Sequence, residues 1–123
     1  MGLISKLLGH GSDLTPEQAR RELDGMLLPD EPVQVAFKVV RDLFVFTDRR
    51  LILVDRQGFT GGKVEYLVIP YRAITSYSIE NAGTFDIDSE LRLWISGRHE
   101  PIQKTLKSGA NIRGIQAAIA SAL

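Results

Sequence analysis

The chain lacks cysteine altogether, and it lacks an excess of either charge. Its 123 residues include 15 lysines and arginines, 15 aspartates and glutamates, and two histidines. Without cysteine there can be no disulfides, thiolate metal sites or cysteine nucleophiles, and we expect a cytoplasmic location. Without a basic excess we expect no nucleic-acid partner, because nucleic-acid binders usually present a positively charged surface. No catalytic or metal-ligand spacing of histidines is present, so we expect neither an enzyme nor a cofactor.

Long apolar runs are missing as well. No stretch approaches the roughly 18 residues that a membrane-spanning helix requires, and the amino-terminal stretch has no signal-peptide cleavage pattern. That stretch does carry apolar residues at helical spacing, namely Leu3, Ile4, Leu7 and Leu8. They leave two alternatives, contact with a membrane surface or packing against protein. A single nearby lysine and the absence of aromatic residues favour protein.

The chain is long enough for one domain but too short for two ordinary ones, and 44% of its residues are hydrophobic. We expect an N-terminal extension over residues 1–12 and one domain over residues 13–123. Thr15 as the cap, Pro16 at the first helical position and Gln18 predict the start of a helix. Residues 29–32 predict its end. Its expected buried face consists of Ala19, Leu23, Met26 and Leu27.

From Val33 onward, apolar and polar residues alternate, which predicts β-strands. The predicted strands span residues 33–40, 43–47, 50–55, 64–69, 73–81 (with an extension to 88 as the alternative), 90–96 and 101–106. Ser108 is the expected cap of a final helix with an apolar stripe of Ile112, Ile115, Ile119 and Leu123. Seven antiparallel strands leave open edges or barrel ends, and a terminal amphipathic helix can cover one such end. We therefore expect an α+β fold: a barrel of seven antiparallel strands in two bent sheets, capped by the C-terminal helix, with an extra N-terminal helix.

Five well-spaced segments carry a resemblance to known proteins. They are Phe46-Thr47-Asp48-Arg49-Arg50-Leu51, Lys63-Val64-Glu65-Tyr66, Ile69-Pro70-Tyr71-Arg72, Ala82-Gly83-Thr84-Phe85-Asp86 and Leu93-Trp94-Ile95-Ser96-Gly97. In these segments the chain resembles the bacterial pleckstrin-homology-like (PH-like) domain family, in its single-domain, ring-forming type. The resemblance covers roughly residues 13–123 and implies a binding scaffold. It also implies a cyclic homo-oligomer of five subunits, with a polar surface at the subunit junctions that receives another protein.

The resemblance also implies where a partner would bind. The residues on or beside the strands near the implied junction are Arg72, Glu80, Asp86, Asp88, Arg92 and Trp94. Strand alternation places Trp94 on the same side as Arg92, and an outward tryptophan exposes a large apolar area. Either a subunit contact covers this tryptophan, or it lies under a neighbouring loop or the N-terminal helix.

Asp86, Asp88 and Glu90 also leave alternatives. Alternation would place all three carboxylates on one strand face, as an acidic patch that meets a basic patch of a neighbouring subunit. Otherwise they belong to a solvated strand that ends in a turn at residues 88–90. An EF-hand calcium loop does not fit, because Leu91 stands where that loop needs glycine.

Two further segments invite a phosphate-binding interpretation. Residues 58–63 are rich in glycine, but a strand and not a helix follows them, so we expect a flexible inter-strand loop. Arg49 and Arg50 are expected on the surface of a hairpin near Asp48, with phosphate binding by Arg49 as the alternative. The connection at residues 40–43 is short and carries one arginine and one aspartate, which argues against inositol-lipid binding.

Overall fold

The computed structural model describes residues 13–60, 62–81 and 88–123. The strands are β1 (Asp13–Leu14), β2 (Val33–Val39), β3 (Asp42–Thr47), β4 (Arg50–Gln57), β5 (Lys63–Pro70), β6 (Ile74–Glu80), β7 (Ser89–Ile95) and β8 (Ile102–Leu106). The helices are α1 (Pro16–Glu22), a short 3-10 helix (Tyr71–Ala73) and α2 (Ile112–Ala122). All seven predicted strands are present. The two-residue β1 was not predicted, because so short a strand shows no periodicity.

The strands form two antiparallel sheets, one with the order β1-β2-β3-β4-β5 and one with the order β6-β7-β8. The main core lies between the sheets, where α2 contributes Ile112, Ile115 and Ile119. Phe37 and Phe46 meet there edge to face, with ring centroids 6.0 Å apart. This arrangement confirms the expected α+β fold, in which the C-terminal helix covers the sheets.

Strands β3 and β4 are buried on both faces, which explains their nearly continuous apolar sequences. Phe44 and Leu53 point into the main core. Val45 and Ile52 point the other way, into a second cluster that also contains Ala19 of α1. Helix α1 therefore covers the outside of the first sheet, and β3 and β4 form the centre of the molecule.

Helix α1 begins as predicted but ends earlier. Thr15 Oγ1 accepts a hydrogen bond from Gln18 N at 3.1 Å, and Gln18 Oε1 accepts one from Thr15 N at 2.8 Å, so the capping box is complete. The helix stops at Glu22, not at residues 29–32, and Gly25 follows with a φ of +82°. A left-handed glycine is a common helix terminator. The predicted helical residues Met26 and Leu27 lie beyond the helix, where they pack loosely on the second cluster.

Helix α2 begins later than predicted. Its cap is Asn111, whose Oδ1 accepts a hydrogen bond from Gly114 N at 2.9 Å, and not Ser108. Gly109 has a φ of +92° and keeps residues 107–110 in a turn, so the helix cannot start at residue 108. Leu123 is 56% exposed and does not extend the apolar stripe, because the helix ends at residue 122.

Glu31 is an acidic side chain with no exposed surface. Its Oε2 accepts hydrogen bonds from Arg50 Nε at 2.7 Å and from Thr47 Oγ1 at 2.8 Å. Its Oε1 accepts from Arg50 Nη2 at 2.8 Å and from Leu28 N at 3.2 Å. The expected surface position of Arg50 is therefore wrong. The guanidinium turns inward because a buried carboxylate requires a paired, hydrogen-bonded cation.

Further bonds surround this ion pair. Arg20 donates to the carbonyl oxygens of Glu31 and Leu28, both at 2.7 Å. The Tyr71 hydroxyl donates to the carbonyl oxygen of Thr47 at 2.5 Å, and burial raises the pKa of this hydroxyl. The network therefore joins the segment after α1, the β3–β4 hairpin and the 3-10 helix that leads into the second sheet.

We expect Glu31→Ala to lower the free energy of unfolding by about 3–5 kcal/mol, because it leaves a mostly buried guanidinium without its partner. Urea denaturation at pH 7 measures the loss. The matched control is Asp30→Ala, which removes the neighbouring but exposed ion pair with Arg49 and should hardly change the denaturation midpoint. Equal losses in the two variants would contradict a special role for the buried pair.

The same carboxylate should make stability depend on pH. Hydrogen bonding to Arg50, opposed by desolvation, lowers the pKa of Glu31 from 4.5 to about 2. A lowered pKa in the folded state stabilises the fold above the unfolded pKa, and this stabilisation is lost as the pH falls from about 4.5 to about 2. The amount involved is about 3 kcal/mol. Over this window the unfolding free energy of the natural chain should fall more steeply than that of Glu31→Gln, and parallel curves would contradict the assignment.

Candidate interaction surface

The outward side of the β6-β7-β8 sheet carries polar side chains in register. Leu91 and Leu93 of β7 point inward and are fully buried, so their neighbours point outward. The strand pairing aligns Glu80 with Glu90 and Thr105, Ser78 with Arg92 and Gln103, and Ser76 with Trp94. We call these eight residues the outer face. Two predicted interface residues on β7, Arg92 and Trp94, do share it with Glu80.

Hydrogen bonds across the strands hold one outer-face charge, Glu90, in place, whereas Arg92 and Glu80 form only a loose ion pair. Glu90 Oε1 and Oε2 accept from Thr105 Oγ1 at 3.0 and 3.3 Å, and Oε2 also accepts from Gln103 Nε2 at 3.1 Å. Arg92 Nη1 lies 3.5 Å from Glu80 Oε1, whose side chain is 69% exposed. Such an exposed pair is weakly bound, so both groups are available to exchange partners with another molecule.

Asp88 is not one of the eight outer-face residues. It precedes β7, where its Oδ1 accepts from Ser108 N at 3.0 Å and its Oδ2 contacts Lys107 Nζ at 3.2 Å. These contacts, the Ser108 bond first, lower the pKa of Asp88. Asp88 therefore fastens the start of β7 to the turn before α2, and the acidic patch of Asp86, Asp88 and Glu90 stays a prediction. Asp86 lies outside the described residues.

The alternative of a turn at residues 88–90 is wrong. Ser89 and Glu90 are part of β7, where they pair with Leu106 and Thr105 of β8. Ser89 is buried, whereas a solvated turn would expose it.

The predicted membrane contacts Leu3, Ile4, Leu7 and Leu8 lie outside the described residues.

Arg72 and Trp94 complete the predicted set. Arg72 is exposed in the 3-10 helix before β6, and it forms no hydrogen bond or ion pair with the outer-face residues. Trp94 is half-buried and faces outward, in register with Ser76. Helix α1 does not cover this tryptophan, because it packs on the opposite sheet. A loop and a second subunit stay as the alternatives for its cover.

Strand β6 ends the second sheet with an edge that no described strand pairs. It contains neither proline nor lysine, and Glu80 at its end is its only charge. Strand β5, the last strand of the first sheet, carries Lys63, Glu65 and Pro70. Because charges and proline discourage pairing at a sheet edge, β6 is the less protected of these two edges.

The remaining candidates form no chemical site. Arg49 pairs with Asp30 at 3.0 Å and with Asp48 at 3.5 Å, so its charge is compensated. Strands β4 and β5 follow each other in the chain and pair antiparallel, as expected when an inter-strand loop joins them. Within residues 13–60, 62–81 and 88–123, no group of three or more histidine and acidic side chains could hold a metal ion. No helix in the described part of the chain is long and apolar enough to cross a membrane.

Comparison with known proteins identifies the family of this chain. The family model described as "Bacterial PH domain" matches residues 2–123. The chain belongs to the bacterial PH domain family. The uncharacterized protein YjqA of Bacillus subtilis (strain 168) is 51% identical to this PH domain over 122 residues, which cover 98% of each chain.

Two solved structures show the same fold. A pleckstrin homology domain from Shewanella amazonensis SB2B is 52% identical, with a TM-score of 0.84 over 99% of each chain. A DUF1696 family protein with a pleckstrin-homology domain, from Shewanella loihica PV-4, is 47% identical, with a TM-score of 0.76 over 91% of this chain and 97% of its own. These similarities confirm the family and the fold that the sequence predicted.

Substitutions on the outer face should leave the PH domain folded. We expect Glu80→Gln and Arg92→Gln each to change the free energy of unfolding by no more than about 0.5 kcal/mol, because the pair is exposed. Thermal or urea unfolding checks this. A loss above about 2 kcal/mol would mean that the pair supports the sheet and is not free to bind a partner.

Proposed function

We propose that this bacterial PH domain is a non-catalytic, cytoplasmic protein-interaction module. In this proposal five copies assemble into a cyclic ring, and a partner protein binds a polar surface at the junction between subunits. The ring itself is implied by the family resemblance, and the unprotected edge of β6 is the observation that carries the proposal.

The free edge supports assembly for a simple reason. The backbone N–H and C=O groups along the edge of β6, which no described strand pairs, are a template for a strand from another chain. A contact between this edge and a different surface of the next copy is head-to-tail, and head-to-tail contacts close into rings when the rotation allows. The balanced net charge of the chain adds little repulsion between copies.

The outer face supports a polar junction. Trp94 lies in register with Ser76 of the edge strand, so a subunit docked on β6 would lie beside its half-exposed ring. Aromatic residues of this kind are enriched in interfaces. Glu80 and Arg92, one of them largely exposed, lie on the same face, and charges in such a place select partners by electrostatic complementarity.

Two lysines on the edge strand β6 should break the ring. We expect the natural chain to show a mass near five times its 13.7 kDa by light scattering, and Ser76→Lys with Ser78→Lys to reduce it to one copy, because edge lysines prevent strand pairing. The matched control is Gln103→Lys, on the same face but on β8, which should keep the oligomer mass.

The outcomes separate the parts of the proposal. A natural chain that remains a single copy at all concentrations contradicts assembly. An oligomer that is broken by Gln103→Lys but not by the β6 variants contradicts the choice of edge. If the ring persists in Arg92→Gln but a co-purifying protein is lost, the outer face binds that protein as proposed.

A further inference from the structure

A cavity of about 260 Å³ opens on the outer side of the first sheet, between α1 and the turn that joins β2 to β3. Its lining combines an apolar wall, made of Leu14, Val40 and Leu43, with charged residues that include Glu22, Lys38 and Arg56. Glu22 and Arg56 pair with each other at 2.6 Å, so their charges are compensated. Pockets for small molecules usually measure about 300–1,000 Å³. This cavity is smaller and suits a few side chains better than a separate ligand.

The apolar wall continues the second core cluster beyond α1. Leu43 is buried in that cluster, and Leu14 packs against it from β1. Helix α1 has only seven residues, and Ala19 is its buried one. Val40 belongs to neither cluster and is 63% exposed. The described residues therefore leave the far side of the apolar wall open to solvent.

The backbone at Val40 also indicates a missing contact. Its φ of +59° lies in the left-handed region, and among the described residues it is the only one besides glycine with a positive φ. A β-branched residue is disfavoured there, and glycine or asparagine would suit the turn better. A cover over the valine side chain would offset this cost, whereas exposure to solvent does not.

The chain enters the described part of the domain at the rim of this cavity. Asp13 pairs with Phe37 of β2, and the next residue, Leu14, belongs to the apolar wall. Because β1 is antiparallel to β2, the chain enters β1 from the end of the sheet where Lys38 and Val40 lie. Whatever precedes Asp13 is therefore tethered beside the cavity.

The residues on this tether have the right chemistry. Leu7 and Leu8 precede Asp13 by six and five positions, and an extended chain spans at most about 3.5 Å per residue, so both lie within about 20 Å of Asp13. A short tether gives a segment a local concentration in the millimolar range. A separate molecule would have to compete with that concentration for the same apolar wall.

We propose that the N-terminal extension docks in this cavity of its own chain. Leu7 and Leu8 enter it and cover the apolar wall, including the exposed side chain of Val40. The second cluster then continues from α1 to the turn between β2 and β3, and the leucines are withdrawn from solvent. The proposal concerns one chain and does not depend on a ring.

Cysteine cross-linking tests the docking, because the natural chain has no cysteine. Lys6→Cys with Lys38→Cys keeps every leucine and places one thiol in the extension and one at the cavity. A short bifunctional thiol reagent should join the two within one chain, so that the product keeps the mass of a single copy. The matched control is Lys6→Cys with Leu28→Cys, at a 49% exposed residue beside the buried ion pair. It should react about tenfold more slowly.

Three outcomes would overturn the proposal. A product of twice the chain mass would place the extension on a neighbouring copy. Equal rates for the two cysteine pairs would mean that the extension has no preferred position on the domain. Sedimentation of the natural chain with phosphatidylglycerol vesicles that is lost in Leu7→Ser with Leu8→Ser would assign these leucines to a membrane surface.

A double-mutant cycle supplies a test without chemical modification. Val40→Ser is made in the natural chain and in a chain that carries Leu7→Ser and Leu8→Ser. It should lower the melting temperature of the natural chain by several degrees, because an apolar contact is lost. In the second background it should have almost no effect, since that contact is already absent. The change in backbone strain at residue 40 is common to both backgrounds and cancels. Equal shifts in the two backgrounds would show that the leucines do not contact Val40, and the proposal would be wrong.

Discussion

The buried ion pair between Glu31 and Arg50 is the interaction on which the arrangement of this PH domain depends. A carboxylate with no exposed surface is tolerated only when every oxygen is bonded. Here Arg50, Thr47 and Leu28 satisfy both oxygens of Glu31. These partners come from the β3–β4 hairpin and from the segment after α1, so one acid holds the N-terminal helix and its following segment against the central strands. The Tyr71 bond to Thr47 extends this network to the start of the second sheet.

The two ends of the central strands have different roles. At the end where β3 turns into β4, the buried pair and its neighbours close the structure. At the other end of β3, Val40 and Phe59 remain exposed, and the backbone at Val40 is strained. A domain that is fastened at one end can tolerate such a costly feature at the other, because the strain at Val40 is small beside the free energy of the core. The β6 edge, which no described strand pairs, and the outer face lie on the second sheet.

Strand positions were predictable because β-periodicity depends on local sequence. Alternation identified β5 to β8, and the short polar interruption at residues 48–49 identified the β3–β4 hairpin. The capping box of α1 was equally visible, since its partners are three residues apart. The cap of α2 was not, because Ser108 and Asn111 are both good caps and the choice depends on the left-handed Gly109. The role of Asp88 was missed for a related reason: its partners lie 19 and 20 residues away, across the sheet.

By itself, the sequence determined the family, the number of main strands, the two flanking helices and the outward direction of Arg92 and Trp94, because period and capping are properties of neighbouring residues. Only the tertiary structure decided that Arg50 faces inward and Arg49 outward, although both follow Asp48. The nearest signal is an acid 19 residues upstream, between two prolines, and nothing in the spacing links Glu31 to Arg50. Tertiary structure also joined the turn after β2 to the loop after β4, through a bond from Arg41 to the carbonyl oxygen of Gly58, 17 positions away. Both are long-range pairings set by how the strands pair, and the first also follows from the requirement that a buried charge find its partner.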